Sequence, residues 1–122
     1  MFIQCIAVGV GGFIGSVFRY LISLIPTLHK GVIPWQTLLV NVVGAILIGM
    51  IVKYCSVHTE IDGNLILLLK VGVCGGFTTF STFALESAGM LQGGNQAAAF
   101  FYTAASVTFC IGGVFLGQYL IR

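Results

Sequence analysis

Four long apolar runs that carry almost no charge constrain this chain more than any other feature. The runs cover about residues 2–25, 35–55, 65–91 and 97–120, and short polar or glycine-rich joints separate them. A bilayer core about 30 Å thick is crossed by about 20 helical residues, so each run is long enough to span it once. The pattern predicts an all-α integral membrane protein, with four transmembrane helices in a single domain of residues 1–122.

The composition excludes several other classes of protein. Hydrophobic residues make up 58% of the chain and charged residues 7%, whereas soluble domains carry about 25% charged residues. A water-soluble globule and a disordered chain are both excluded, because disorder requires low hydrophobicity and high charge. The net charge of +2 comes from five scattered basic residues, so we expect no nucleic-acid partner. The expected surroundings are the lipid bilayer.

The charged residues give almost no signal for orientation. Four spans place both termini and the second connector on one side, which carries Lys53 and Arg122, with Lys70 counted toward it. The opposite side carries Lys30, with Arg19 counted toward it. A difference of about one charge is too small for the positive-inside rule to fix one orientation. We therefore expect insertion in both orientations, which is compatible with an antiparallel homodimer.

Small residues recur where helices are expected to approach closely. Gly11 and Gly15 in the first run, and Gly113 and Gly117 in the fourth, form G-x-x-x-G pairs. Such pairs allow close packing of helix backbones in lipid. The short connectors further predict that spans consecutive in sequence pack as neighbours.

Polar side chains inside the apolar runs are candidate functional groups, because they are costly in hydrocarbon. Thr37 and Asn41 share one face of the second run, and Tyr102, Ser106 and Cys110 form a stripe on the fourth. Hydrogen bonding between helices is one explanation for such groups. Two stripes on different helices favour a polar pathway.

The third run contains the most specific pattern, Gly72-Val73-Cys74-Gly75-Gly76-Phe77-Thr78-Thr79-Phe80-Ser81-Thr82-Phe83 followed by Glu86. Two glycines followed by two threonines disfavour a regular helix, so a break is expected at Gly75-Gly76. A break inside the membrane persists only if protein, water or an ion satisfies its backbone groups. Beyond it, Phe80 and Phe83 share a helix face, and Ser81 lies on a different one.

Three segments together resemble the CrcB/Fluc family of fluoride channels. They are the third-run pattern, Gly11-Gly12-x-x-Gly15-x-x-x-Arg19-Tyr20 and Thr37-x-x-x-Asn41-x-x-Gly44. The resemblance covers essentially the whole chain. It implies a multi-pass protein of the cell inner (plasma) membrane that assembles as an antiparallel dual-topology homodimer with two pores. The implied function is passive, fluoride-selective export from the cytoplasm.

The resemblance also implies a role for individual residues. Phe80 and Phe83 would contact fluoride through their ring edges, and Asn41 would supply a pore amide. A central structural sodium ion would be held at the dimer interface by backbone carbonyls of Gly75 and Thr78. Arg19 would lie near the vestibule and Glu86 beside the pore, and the polar track would comprise Thr37, Ser81, Thr82, Tyr102 and Ser106. The chain departs from the family at Gln36, where glycine is usual, and at Cys110, where some members have serine.

Two other functions stay open on the residues. A four-span, dual-topology multidrug/proton antiporter needs a membrane-embedded carboxylate, and Glu86 is the only candidate, because the first run has no acidic residue. A structural subunit of a larger membrane complex would also explain the packing glycines. No enzyme is expected, because His29 and His58 lie in connectors without a nucleophile or ligand partner at useful spacing.

Overall fold

The computed structural model describes all 122 residues and contains four helical spans long and apolar enough to cross a membrane. The first two spans are α1 (Phe2–Ser23) and α2 (Trp35–Val57). The third is divided into α3 (residues 63–77) and α4 (Phe80–Gln92), and α5 (Gln96–Leu120) is the fourth. The predicted all-α architecture with a broken third span is confirmed.

Local signals explain where several of these helices begin and end. α1 ends shortly before Pro26, which opens a short 3-10 helix, Pro26–His29. Asp62 caps α3, since its Oδ1 accepts hydrogen bonds from the backbone N–H groups of Asn64 and Leu65 at 2.6 and 3.4 Å. The middle of α3, Leu67–Cys74, is a π-helix. π-helical segments are frequent at functional sites, and this one leads directly to the break.

The break in the third span lies later than the sequence predicts. The expected position, Gly75-Gly76, is helical as part of Gly75–Phe77. The chain leaves the helix at Thr78 (φ −84°, ψ 160°) and stays extended at Thr79 (φ −152°, ψ 117°). A glycine in a helix costs only about 1 kcal/mol, less than the several kcal/mol of an unsatisfied backbone group in lipid. The glycine at 76 serves packing instead, because a Cβ there would overlap the Gly12 backbone.

The spans pack mainly with partners that are not adjacent in sequence. α1 packs along α3, and α2 packs along α5, whereas α1 and α2 make little contact. The expectation that consecutive spans pack as neighbours is therefore wrong for α1 and α2. The glycines give the reason: a Cβ on Gly15 would overlap the Val73 carbonyl in α3, and one on Gly117 would overlap the Ile46 carbonyl in α2. The two predicted glycine pairs are confirmed as positions of close packing.

The best-packed part of the bundle lies beside the break. Leu38, Met90, Ala99 and Tyr102 form a buried cluster between α2, α4 and α5, and Phe83 packs against it. This cluster fixes α4 relative to α2 and α5. Polar groups of these helices are thereby held at defined positions around Thr78 and Thr79.

Candidate functional site

The Asn41 side chain holds the extended backbone of the break. Its Nδ2 donates to the Thr79 carbonyl at 3.0 Å, and its Oδ1 accepts from the Thr79 N–H at 2.8 Å. A backbone N–H can only donate and a carbonyl can only accept, so these two bonds fix the orientation of the amide. One Nδ2 hydrogen is used in this way, which leaves the second available to a ligand.

The same arrangement frees two particular backbone carbonyls. In a continuous helix the N–H groups of Thr79 and Thr82 would bond to the carbonyls of Gly75 and Thr78. Here the Thr79 N–H donates to Asn41, and the Thr82 N–H donates to Thr79 Oγ1 at 3.2 Å, so that Thr79 caps α4. The carbonyls of Gly75 and Thr78 are thus without their helical donors. They are the two that the resemblance assigns to a cation.

Arg19 of α1 satisfies a third carbonyl of this segment. Its Nε donates to the Gly76 carbonyl at 3.2 Å. The guanidinium therefore lies close to the break, and Arg19 also lines a polar cavity of about 350 Å³. We call this the Arg19 cavity; its polar lining includes Arg19, Gln36, Thr37, Thr79, Thr82 and Glu86.

Glu86 is held by two hydroxyl groups from different helices. Thr37 Oγ1 donates to Glu86 Oε1 at 2.8 Å, and the Tyr102 hydroxyl donates to Glu86 Oε2 at 2.7 Å. Tyr102 is fully buried, with 0% of its surface exposed. The two bonds join α2, α4 and α5 at one carboxylate. They also occupy the only hydrogen of each hydroxyl, so neither group can donate to an anion while it bonds to Glu86.

Three aromatic rings follow one another beside the break. The ring centroids of Phe80 and Phe83 lie 5.5 Å apart with an interplanar angle of 53°, and those of Phe83 and Tyr102 lie 5.2 Å apart at 51°. Tilted pairs of this kind direct the positive edge of one ring at its neighbour. Phe80 is 79% exposed. Its outer edge is therefore open to a second molecule or to an ion.

A second cavity, of about 450 Å³, lies on the other side of the break. We call it the Ser106 cavity; its lining includes Asn41, Lys70, Thr79, Phe83, Ser106 and Cys110. Ser106 is only 7% exposed, and its Oγ has no hydrogen-bond partner. A buried hydroxyl without a partner is costly, so this group is suited to donate to a ligand. Thr79 lines both cavities and separates them.

The structure brings most of the sequence-predicted site residues to these two cavities. Arg19, Thr37, Thr82 and Glu86 line the Arg19 cavity, and Asn41, Gly75, Thr78, Phe80, Phe83 and Ser106 line the Ser106 cavity. Tyr102 lines neither, because it is buried between Phe83 and Glu86. Ser81 is exposed, and its Oγ lies 3.4 Å from Thr79 Oγ1.

Two residues of the site were not singled out by the sequence. Thr79 lies at the centre of the break. A threonine directly before a helix, three residues ahead of Thr82, is typical of an N-cap, and this position was the sequence signal for its role. Lys70 was counted only as a charge for orientation. No sequence pattern places it at a cavity, because most of the other lining residues come from α2, α4 and α5.

These features define a class of protein. Four apolar spans surround a polar break that lies between two cavities, which is an arrangement typical of membrane transport proteins. Residues 6–118 match the model of the CrcB-like protein family, described as Camphor Resistance (CrcB). The chain belongs to this family, and it is a multi-pass protein of the cell inner (plasma) membrane.

Several relatives match most of the chain. A protein of Ruminiclostridium cellulolyticum named fluoride-specific ion channel FluC is 40% identical over 121 residues, which cover 98% of this chain and 93% of the relative. A protein of the same name from Agrobacterium fabrum is 41% identical over 116 residues, covering 94% and 93% of the two chains. A third, from Clostridium perfringens, is 44% identical over 90 residues, covering 73% and 70%. All three names denote ion channels rather than enzymes.

Proposed function

We propose that this chain is a passive, fluoride-selective ion channel that exports fluoride from the cytoplasm. The observation that carries the proposal is 40% identity, over 98% of this chain, to a protein named fluoride-specific ion channel, together with the break between Asn41, Phe80 and Phe83. In the cell, such a channel would release fluoride that enters as membrane-permeant HF. The relatives named above give no support to the multidrug/proton antiporter.

The donors around the break suit a small, strongly hydrated anion. A pore for fluoride must replace water with hydrogen-bond donors and positive ring edges. The free Asn41 N–H, the Ser106 hydroxyl and the edges of Phe80 and Phe83 are such groups, and all of them are uncharged. Weak neutral donors of this kind stabilise the anion without holding it permanently.

We propose a structural sodium ion held by the carbonyls of Gly75 and Thr78. The donor set supports this assignment, because both carbonyls lack their helical donors and carbonyl oxygens are hard ligands suited to a hard cation. Bound there, the ion would add positive potential beside the anion path. Transport should decline after dialysis into sodium-free buffer and recover when sodium is restored. Unchanged transport would contradict the assignment.

We propose that the working unit is an antiparallel, dual-topology homodimer with two pores. One protomer leaves Phe80 79% exposed, so a second copy is needed to close the wall of the path. The small difference in charge between the two sides permits both orientations. In this assembly each subunit contributes its break, which brings the Gly75 and Thr78 carbonyls of both copies to one interface.

Proteoliposomes loaded with fluoride test the central proposal. A fluoride-selective electrode should record rapid efflux from vesicles containing the purified protein, and a chloride electrode should record little. Equal rates for the two anions would contradict fluoride selectivity. Uptake of a lipophilic cation driven by a proton gradient, without fluoride efflux, would instead support the antiporter.

Phe80→Ile and Phe83→Ile test the role of the rings. Isoleucine is apolar but has no positive edge, so we expect fluoride efflux to fall by about tenfold, equivalent to about 1.4 kcal/mol of barrier. Phe115→Ile is the matched control, since Phe115 is 67% exposed and lines neither cavity. Size-exclusion chromatography of all three variants should show the same assembly as the wild type. Wild-type rates in both Phe80→Ile and Phe83→Ile would remove the rings from the mechanism.

A further inference from the structure

Lys70 is a basic residue inside the third span, and the proposed fluoride path gives it no role. It lies in the π-helical part of α3 and is exposed on the protomer. Lysine within a span is costly and is a functional candidate by default. Two of the three acidic side chains are engaged elsewhere, because Asp62 caps α3 and Glu86 accepts from Thr37 and Tyr102, and the third, Glu60, lies in the connector before α3. Lys70 is therefore a cation without a carboxylate partner.

The surroundings of Lys70 are those of an anion site. It is the only charged residue that lines the Ser106 cavity. The same cavity contains the buried, unpartnered hydroxyl of Ser106 and is bordered by Phe80 and Phe83. A cation, a free hydroxyl and ring edges attract an anion together, and no carboxylate in this cavity opposes them.

The two cavities are alike in their basic residues, and this likeness suggests a role for Lys70 in transport. Each contains a single basic residue, Arg19 in one and Lys70 in the other, and Thr79 lies between them. Arg19 is bonded to the Gly76 carbonyl, two residues before the break, whereas Lys70 precedes the break by two turns of α3. The basic residues thus lie on either side of Thr79, where each can concentrate anions in its own cavity.

We propose that Lys70 recruits fluoride into the Ser106 cavity, at the opposite side of the break from Arg19. The inference rests on the proposed fluoride path and adds a residue to it. The ammonium raises the local fluoride concentration at the mouth of the path, and the neutral donors at the break then receive the ion. Lys70 is thus a positioning residue for the anion and sets transport rate rather than selectivity.

Ionic strength separates this role from a structural one. In proteoliposomes at low ionic strength, Lys70→Gln and Lys70→Met should each lower fluoride efflux about three- to fivefold, the size expected for one unit charge acting over several ångströms in wet surroundings. Raising the ionic strength with an impermeant salt should reduce the difference from wild type, because the Debye length shortens from about 30 Å at 0.01 M to 3 Å at 1 M. Lys70→Arg should retain the wild-type rate, because it retains the charge. The preference for fluoride over chloride should be unchanged throughout.

Lys53→Gln is the matched control, because Lys53 is an exposed lysine of α2 that lines neither cavity. It should keep the wild-type rate at each ionic strength. Wild-type efflux in both neutral Lys70 variants would overturn the inference, as would a loss that is independent of ionic strength and accompanied by altered assembly on size-exclusion chromatography. Absence of fluoride efflux from the wild type is a different result: it would contradict the proposed channel itself, and the role of Lys70 with it.

Discussion

At the scale of single residues, one amide determines the shape of the third span. Asn41 supplies both a donor and an acceptor to Thr79, and so replaces the two hydrogen bonds that the extended backbone cannot make within a helix. In lipid no water is present to satisfy these groups. The break therefore exists because a side chain of α2 reaches it.

Asn41→Asp should destabilise the protein and impair transport. Aspartate can still accept from the Thr79 N–H, but it has no donor for the Thr79 carbonyl and places a carboxylate oxygen against it. We expect the free energy of unfolding to fall by about 1–3 kcal/mol, measured as a lower Tm in detergent. Asn95→Asp makes the same chemical change at an exposed position without a side-chain cap bond, and its Tm should stay close to wild type. A Tm for Asn41→Asp as close to wild type as that of Asn95→Asp would show that the Asn41 bonds contribute nothing to stability.

The polar residues also show how far sequence reasoning extends at this scale. The spacing of Thr37 and Asn41 correctly predicts that they share the inner face of α2. It does not reveal that Thr37 bonds to Glu86, or that Asn41 bonds to Thr79, because these partners come from the third span. Sequence periodicity gives the direction of a side chain, and only the packed bundle gives its partner.

At the scale of helices, the glycines fall into two groups that differ in the space around them. Gly11, Gly15, Gly49 and Gly117 lie where a Cβ would overlap the backbone of a packed helix, whereas Gly9, Gly12 and Gly112 have nothing within 4 Å of such a Cβ. Only the first group limits how closely the spans approach. The second group lies at positions where alanine fits.

Gly15→Ala and Gly9→Ala compare these two groups within α1. A methyl group at Gly15 meets the Val73 carbonyl and the Phe77 N–H directly before the break, so α1 and α3 must separate. We expect a loss of about 1–3 kcal/mol, measured by thermal unfolding. Gly9→Ala should be neutral or stabilising by up to about 1 kcal/mol, because alanine is the better helix former. A Gly15→Ala protein as stable as Gly9→Ala would contradict close packing of α1 on α3.

The position of the break in the third span could not be predicted from the sequence. Local propensity disfavours helix at Gly75 and Gly76, yet both are helical, because the π-helical segment before them packs against α1. The chain instead breaks at Thr78 and Thr79, where Asn41 and the Thr79 cap satisfy the freed groups. Propensities of about 1 kcal/mol are overridden by contacts that are distant in sequence.

At the scale of the whole molecule, a single chain leaves much of its site open. Only 18 of 122 residues are buried, and the exposed apolar residues include Phe80 at the break as well as the outer faces of the spans. Lipid can cover the outer faces. Lipid is a poor cover for the Ser106 cavity, because Lys70 and the break are polar. A second copy offers the same polar groups and rings in return, which is the physical reason to expect a dimer.

Variants with one fixed orientation test the antiparallel arrangement. Lys53→Gln and Arg122→Gln combined with Thr27→Lys leave one basic residue on the side of the termini and three on the opposite side, whereas Lys30→Gln leaves three and one. The positive-inside rule then predicts opposite orientations for the two variants, which reporters fused to the C-terminus would detect. Each variant alone should give little fluoride efflux from cells, because only parallel pairs can form, and co-expression should restore it. Full efflux from a variant whose reporter shows a single orientation would exclude the antiparallel dimer as the working unit.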